Sequence, residues 1–239
     1  VGGDGLGDLG AERGALLVFA RTAATGALTF RAALRDGADG VDGLDRASGV
    51  AVSPDGAHVY ATGEHDDAVA AFAHDAATGS LAFLRVARNG VDGVSGIDRP
   101  SAVAVSADGA NVYVAGGAAD GLGVFARDPF SGSLTFLEAV RYGDETAGVD
   151  RPRSIAITAD GRGVYVAGHD DDGVAAFARD PVDGRLTFVE IERDHGFLGH
   201  AEDPFRGDTP RTVAGINRVV TDLPLEWRRV KVMGAPQQG

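Results

Sequence analysis

Residues Ser101–Tyr142 read SAVAVSADGANVYVAGGAADGLGVFARDPFSGSLTFLEAVRY, and most of the remaining chain is a variation on this stretch. One copy lies upstream at 48–88, another downstream at 154–193, and the second half of a copy occupies 15–35. Phe19, Phe72, Phe125 and Phe177 follow at steps of 53, 53 and 52. Phe30, Phe83, Phe136 and Phe188 keep those steps, as do Gly26, Gly79, Gly132 and Gly184. Tyr60, Tyr113 and Tyr165 mark a position that only the three full copies possess. A fixed period of this length signals stacked supersecondary units, each burying its apolar face on the next.

Each full copy predicts four short strands. In the first, Gly49–Ser53, His58–Thr62, Ala68–His74 and Leu81–Ala87 alternate branched or aromatic residues with small or polar ones. Such alternation, broken by glycine turns every 8–12 residues, is the pattern of antiparallel β structure. Pro54-Asp55-Gly56 turns the first hairpin, since proline presets φ and glycine takes the left-handed position. The half copy predicts one hairpin, Leu16–Arg21 with Leu28–Leu34, turned at Gly26. The fold class expected is all-β: a propeller of four-stranded antiparallel blades, with the recurrent Phe and Tyr packed between neighbouring blades.

Around these blades, residues 1–14 read as a Gly-rich N-terminal segment, and 194–239 as an irregular loop followed by degenerate closing strands or a tail. Asp208–Ala214 resembles Asp150–Ala156, so a fourth first strand is expected to begin there. The ends suggest either a four-bladed closure completed from both termini or a partial ring. The abrupt ends favour the partial ring, a piece of a larger protein.

Composition bounds the function. A net charge of −13 argues against binding a nucleic-acid backbone, because no basic excess exists to release counterions. No apolar run approaches the length of a membrane-spanning helix. Cysteine is absent, which removes disulfides and thiol chemistry. Neither a G-x-S-x-G elbow nor a phosphate-cradling glycine loop occurs.

The pattern SxAVSxDGxxVYVAG…VFxRDxxTGxLTF resembles the lactonase-type seven-bladed β-propeller family, which includes bacterial 6-phosphogluconolactonase. It is also similar to the propeller repeats of bacterial surface and secreted proteins, as the linkers around Gly37–Asp45 and Gly90–Gly93 suggest. The resemblance covers residues 15–193 and rests on turn and core positions, so it implies the fold and carries over no catalytic residue. The second likeness implies an extracellular or periplasmic setting.

Candidate site residues lie where the two–three loops and the four–one linkers emerge, the face carrying the long loops. Asp67, Asp120 and Asp172 end the two–three loops, within EHDD, GAAD and HDDD. Arg46, Arg99 and Arg151, each preceded by an aspartate (Asp45, Asp98, Asp150), stand just before strand one. A ring of guanidiniums at the channel mouth would hold a carboxylate or phosphate. The competing reading is an Asp–Arg pair that ties each loop to its neighbouring blade, and repetition in every blade favours it. Asp36, Asp39, Asp42 and Asp45 invite a calcium reading, yet their spacing fits no calcium loop, so solvated turn aspartates and no cofactor are expected. His195 and His200 lie in the longest break of the repeat, with His65 and His169 on the same face; zinc spacing is absent.

Two functions follow. The first is a binding or scaffold propeller presenting its acidic loop face to a ligand or protein. The alternative is a lactonase-type hydrolase acting on a sugar lactone. Asymmetry between blades near the channel discriminates them: catalysis needs polar residues that break the repeat, whereas a scaffold needs none.

Overall fold

In the computed structural model, residues 14–141, 143 and 149–193 are described, and every element among them is a strand. The chain divides into two units, Val1–Ile191 and Glu192–Gly239, and only Glu192 and Arg193 of the second are described. The first unit holds a two-stranded sheet of β1 (Ala15–Arg21) and β2 (Leu28–Arg35), followed by three four-stranded sheets. Blade one comprises β3 (Ala47–Val52), β4 (His58–Gly63), β5 (Ala68–Asp75) and β6 (Ser80–Arg88). Blade two comprises β7 (Pro100–Val105), β8 (Asn111–Gly116), β9 (Gly121–Arg127) and β10 (Leu134–Arg141). Blade three comprises β11 (Pro152–Ile157), β12 (Gly163–Gly168), β13 (Gly173–Arg179) and β14 (Leu186–Arg193). Strand order within each blade is the chain order, and the ladders resolved within the sheets are antiparallel. The predicted strands are therefore present, shifted by no more than two residues at their ends. The expected fourth first strand at 208–214 lies outside the described residues.

The pleat decides which side chains meet. Alternate residues of a strand point to opposite faces, so each blade offers one apolar set to the preceding blade and another to the following one. Blade two turns Val112, Val114 and Phe125 toward Tyr60, Val69 and Ala71 of blade one. Its other face turns Tyr113, Ala115, Leu122 and Val124 toward Val164, Val166, Ala175 and Phe177 of blade three. Phe72, Phe125 and Phe177 are fully or almost fully buried, and each meets the strand-four Phe of its own blade edge-to-face, with centroids 5.6 to 5.7 Å apart. The interblade packing expected of the aromatics holds at these junctions. It does not hold for Phe19 and Phe30, 45% and 57% exposed, because their face of the half blade has no preceding blade among the described residues.

A polar clasp joins consecutive blades, and sequence reasoning did not foresee it. The arginine ending strand three, Arg127 or Arg179, is buried and reaches back into the preceding blade. Arg127 donates to Tyr60 Oη (3.1 Å), the Gly109 carbonyl (2.9 Å) and Asp55 Oδ2 (2.7 Å). Arg179 repeats this with Tyr113 Oη (2.9 Å), the Gly161 carbonyl (3.1 Å) and Asp108 Oδ2 (2.8 Å), and meets Asn111 Oδ1 (2.6 Å) where Arg127 meets His58 Nδ1 (2.8 Å). Each tyrosine donates onward to a turn glycine of the next blade, Tyr60 to Gly132 O and Tyr113 to Gly184 O. Every polar atom of a buried guanidinium needs a partner. The SxDGxxVY and FxRD portions of the repeat supply them from opposite sides of one junction. The recurrent Asp-Gly is thus both a turn and half of an interblade contact.

Candidate functional site

The loop face is built on strained backbone. Arg46, Arg99 and Arg151 all have positive φ, at 51°, 47° and 45°, and so do Asp67, Asp120 and Asp172, at 50°, 45° and 47°. Such a conformation is unusual for arginine and persists only where surrounding contacts over-determine it. Here the arginine backbone is held on both sides. The carbonyls of Arg46, Arg99 and Arg151 accept the amides of Glu64, Gly117 and His169. The Arg99 amide donates to Asp67 Oδ1 (2.8 Å) and the Arg151 amide to Asp120 Oδ1 (3.1 Å). Asp67 and Asp120 therefore tie successive blades, through the backbone of the arginine rather than its guanidinium. The tying aspartate comes from the preceding blade's loop, not from the adjacent Asp98 or Asp150. Burial, and then the neighbouring Asp67, raises the Asp98 carboxyl above its usual range; burial, and then Asp120, does the same to Asp150.

With their backbones fixed, the guanidiniums extend into a pocket of about 570 Å³ on this face. Arg99, Arg151, Arg153, Glu64 and Asp120 provide its charge; Ser48, Ser101, Gly117 and Ala118 complete the lining. Two of the positions that line the pocket differ between copies of the repeat. Glu64, Gly117 and His169 are equivalents, so at blade two a missing side chain leaves space. Ser48, Ser101 and Arg153 are also equivalents. The two serines donate to the next blade's proline carbonyl, Ser48 to Pro100 O (2.6 Å) and Ser101 to Pro152 O (2.5 Å). At the third position an exposed arginine takes the serine's place.

The charges are unevenly satisfied. Arg99 Nη2 donates to Glu64 Oε1 at 2.6 Å, and Arg46 Nε lies 3.6 Å from the other carboxylate oxygen. The Arg99 hydrogen bond, foremost, holds Glu64 below the usual glutamate range, so Glu64 is ionised at neutral pH. Arg151 Nη1 reaches Asp170 at 3.3 Å. Arg153 makes no hydrogen bond or ion pair among the described residues. Three guanidiniums against two carboxylates, one guanidinium open, form a cationic pocket in a protein of net charge −13. Bidentate guanidinium donors match carboxylate and phosphate oxygens.

Of the residues singled out from sequence, Arg99, Arg151 and Asp120 line this pocket, and Arg46 adjoins it through Glu64. Asp67 holds the Arg99 backbone. Asp172 is exposed, with no following blade among the described residues to hold. His65 lies 3.2 Å from Arg46 Nη1, and His169 pairs with Asp170 at 2.6 Å, so neither meets the other. His195 and His200 lie outside the described residues. Of the stepped aspartates, Asp36 and Asp42 gather with Asp66, their oxygens within 4.8 Å of one another. Arg88 sits among them, on Asp42 at 2.5 Å and Asp66 at 3.8 Å. Glu64 and Arg153 were missed, although the blade-to-blade comparison that reveals them needs only the sequence.

The sequence model of a family described as "Lactonase, 7-bladed beta-propeller" matches residues 13–92 and 49–196. No curated protein matches the chain. Among solved structures, the periplasmic gluconolactonase of Pseudomonas aeruginosa is 32% identical over 59% of this chain and 38% of its own, with a TM-score of 0.50. A Bacteroides fragilis protein provisionally assigned as a 6-phosphogluconolactonase is 26% identical over 60% and 38%, at a TM-score of 0.52. A Bacteroides uniformis protein of the same provisional assignment shares the fold at 21% identity and a TM-score of 0.60, over 74% of this chain and 51% of its own. The chain thus spans 38 to 51% of these three structures.

Proposed function

Because the chain belongs to the lactonase family of seven-bladed β-propellers, we propose that its loop-face pocket binds an anionic sugar lactone within a lactone-hydrolysing propeller. The observation that carries this reading is the convergence of the recurrent Arg99 and Arg151 with Arg153, which stands where the other copies have serine, on one pocket. A scaffold has no use for that asymmetry. The family match and two neighbours of gluconolactonase type also support hydrolysis over the scaffold reading.

The chemistry proposed is direct. Arg153 and Arg151 hold the phosphate or carboxylate of the sugar acid. Glu64, kept ionised by Arg99, orients a water and accepts its proton as the oxygen attacks the lactone carbonyl. A neighbouring guanidinium meets the developing oxyanion. Cleavage of the ring C–O bond, with Glu64 returning the proton it took to the departing ring oxygen, then releases the open-chain hydroxy acid. The Pseudomonas neighbour is described as periplasmic, which supports placing this chain in an exported setting.

The test is calorimetric binding of 6-phosphogluconate together with a lactone-hydrolysis assay, on the unaltered chain and on Arg153→Ala and Glu64→Gln. The expected result is at least tenfold weaker binding for Arg153→Ala, and lost turnover with retained binding for Glu64→Gln. Binding without turnover in the unaltered chain supports the binding-module reading instead. Binding indifferent to Arg153 rejects the pocket.

A further inference from the structure

Every junction between blades has two sides, and the described unit ends with one of each unmatched. The side facing a following blade carries an aspartate, a tyrosine and small or branched apolar residues; in blade three these are Asp160, Tyr165, Val174 and Val189. The side facing a preceding blade carries the strand-three Phe, its strand-four partner and, in blades two and three, an arginine whose place His74 takes in blade one; in the half blade these are Phe19, Phe30 and Arg21. Arg21 is the repeat equivalent of Arg127 and Arg179, and Asp160 of Asp55 and Asp108.

Both sides are in the state a partner would complete. Leu17, Phe19, Leu28 and Phe30 form a continuous apolar strip on β1 and β2, each 45 to 64% exposed. On blade three, Val174 and Val189 are exposed, and Tyr165 is partly exposed where Tyr60 and Tyr113 are fully buried. Asp160 Oδ1 accepts the Thr158 hydroxyl (2.5 Å) and the Arg162 amide (3.0 Å), as Asp55 and Asp108 do with their own turns. Its other oxygen, the one that takes arginine in Asp55 and Asp108, has no partner among the described residues. The Tyr165 hydroxyl likewise has none, and the Arg21 side chain has neither hydrogen bond nor ion pair among the described residues. An exposed strip of large apolar side chains at this density marks an interaction surface.

We propose that copies of this chain associate head to tail: Arg21 of one copy enters the Asp160–Tyr165 clasp of another, and its Leu17–Phe30 strip covers Tyr165, Val174 and Val189. The occupant is a second copy because the half blade already carries the residues that fill this clasp at the two junctions between full blades. The contact is heterologous, joining unlike surfaces. It does not depend on what the loop-face pocket binds.

Charge reversal tests it on the full chain. Sedimentation velocity over a range of concentrations should show species heavier than the 24.4 kDa chain. Arg21→Glu sets Glu against Asp160, and Asp160→Arg sets Arg against Arg21, so each variant alone should sediment as a single chain while keeping its β-rich circular dichroism. Mixed, the two variants supply one reversed pair and one natural pair, and association should return. A wild-type chain that stays at single-chain mass at every concentration overturns the proposal, including the case where blade three is covered from within its own chain. Association that survives either substitution, or fails to return on mixing folded variants, overturns it as well.

Discussion

Replacing Arg179 with methionine tests whether the interblade clasp stabilises the blades through hydrogen bonding or through charge. The side chain is 2% exposed, so methionine fills most of its volume and the change removes mainly polar contacts. Of the four partners, Tyr113 keeps its bond to the Gly184 carbonyl and loses only an incoming donor. Asp108 is 45% exposed and returns to water at little cost. Asn111 Oδ1 and the Gly161 carbonyl lose a buried donor each. Each stranded buried acceptor costs about 1–3 kcal/mol, so the two cost about 2–6 kcal/mol; relief of guanidinium desolvation returns roughly 1 kcal/mol, leaving a loss of about 1–5 kcal/mol. Asp108→Asn should cost about 1 kcal/mol, the range of a half-exposed pair. Urea unfolding followed by circular dichroism measures both. Because screening acts weakly on buried groups, the Arg179→Met loss should be nearly the same in low and high sodium chloride. A loss under about 1 kcal/mol, or one that high salt abolishes, would refute the assignment of the clasp as a buried hydrogen-bond junction.

Two further expectations use the same junctions. Gly79 and Gly184 occupy one repeat position with φ of 72° and 81°, yet a Cβ on Gly79 meets nothing within 4 Å, whereas on Gly184 it would lie 2.1 Å from Asn111 Nδ2. Gly79→Ala should cost about 1 kcal/mol of backbone strain, and Gly184→Ala about 1–3 kcal/mol more; equal urea midpoints would sink this explanation. The clasp should also set limits in pH. Hydrogen bonds from Ser53, the Ala57 amide and Arg127 depress Asp55, and in Asp108 burial is outweighed by Ser106, the Ala110 amide and Arg179. Depressed carboxyls stabilise the fold above the unfolded value near 3.8, and that contribution is lost as pH falls through their lower folded values. Asp98 and Asp150, raised by burial, act in the opposite sense and shallow the acid limb. At the other end burial pushes Tyr113 up to about 12 against an ordinary 10, and its contribution, present below pH 10, is lost as pH rises toward 12. Asp55→Asn should flatten the acid limb of a stability–pH curve; an unchanged acid limb would contradict the assignment.

The blades were legible because their signals are local and repeated: alternation, turn glycines and a period that aligns Phe72 with Phe125 and Phe177. The clasp was not, since Arg127 and Asp55 are 72 residues apart and each has an adequate local explanation, one as a strand end and the other as a turn. The pocket was half legible. Arg99 and Arg151 stood out by recurring, but recurrence marks what holds blades together, and here it fixes their backbones. Glu64 and Arg153 stood out only by failing to recur. The long loop after Arg193 is the most conspicuous break in the repeat, and it masks single-residue differences inside the blades.

The sameness of the clasp has an evolutionary consequence. Because the two junctions between full blades use the same Asp, Tyr and Arg at the same offsets, a gene segment encoding one such period brings its own plug and its own socket. Such a segment can be duplicated or lost in frame while every remaining junction stays chemically complete. Blade number can then drift without redesign of the core. The inner ends of the first strands are a different matter: one serine exchanged for arginine there alters what the face can hold.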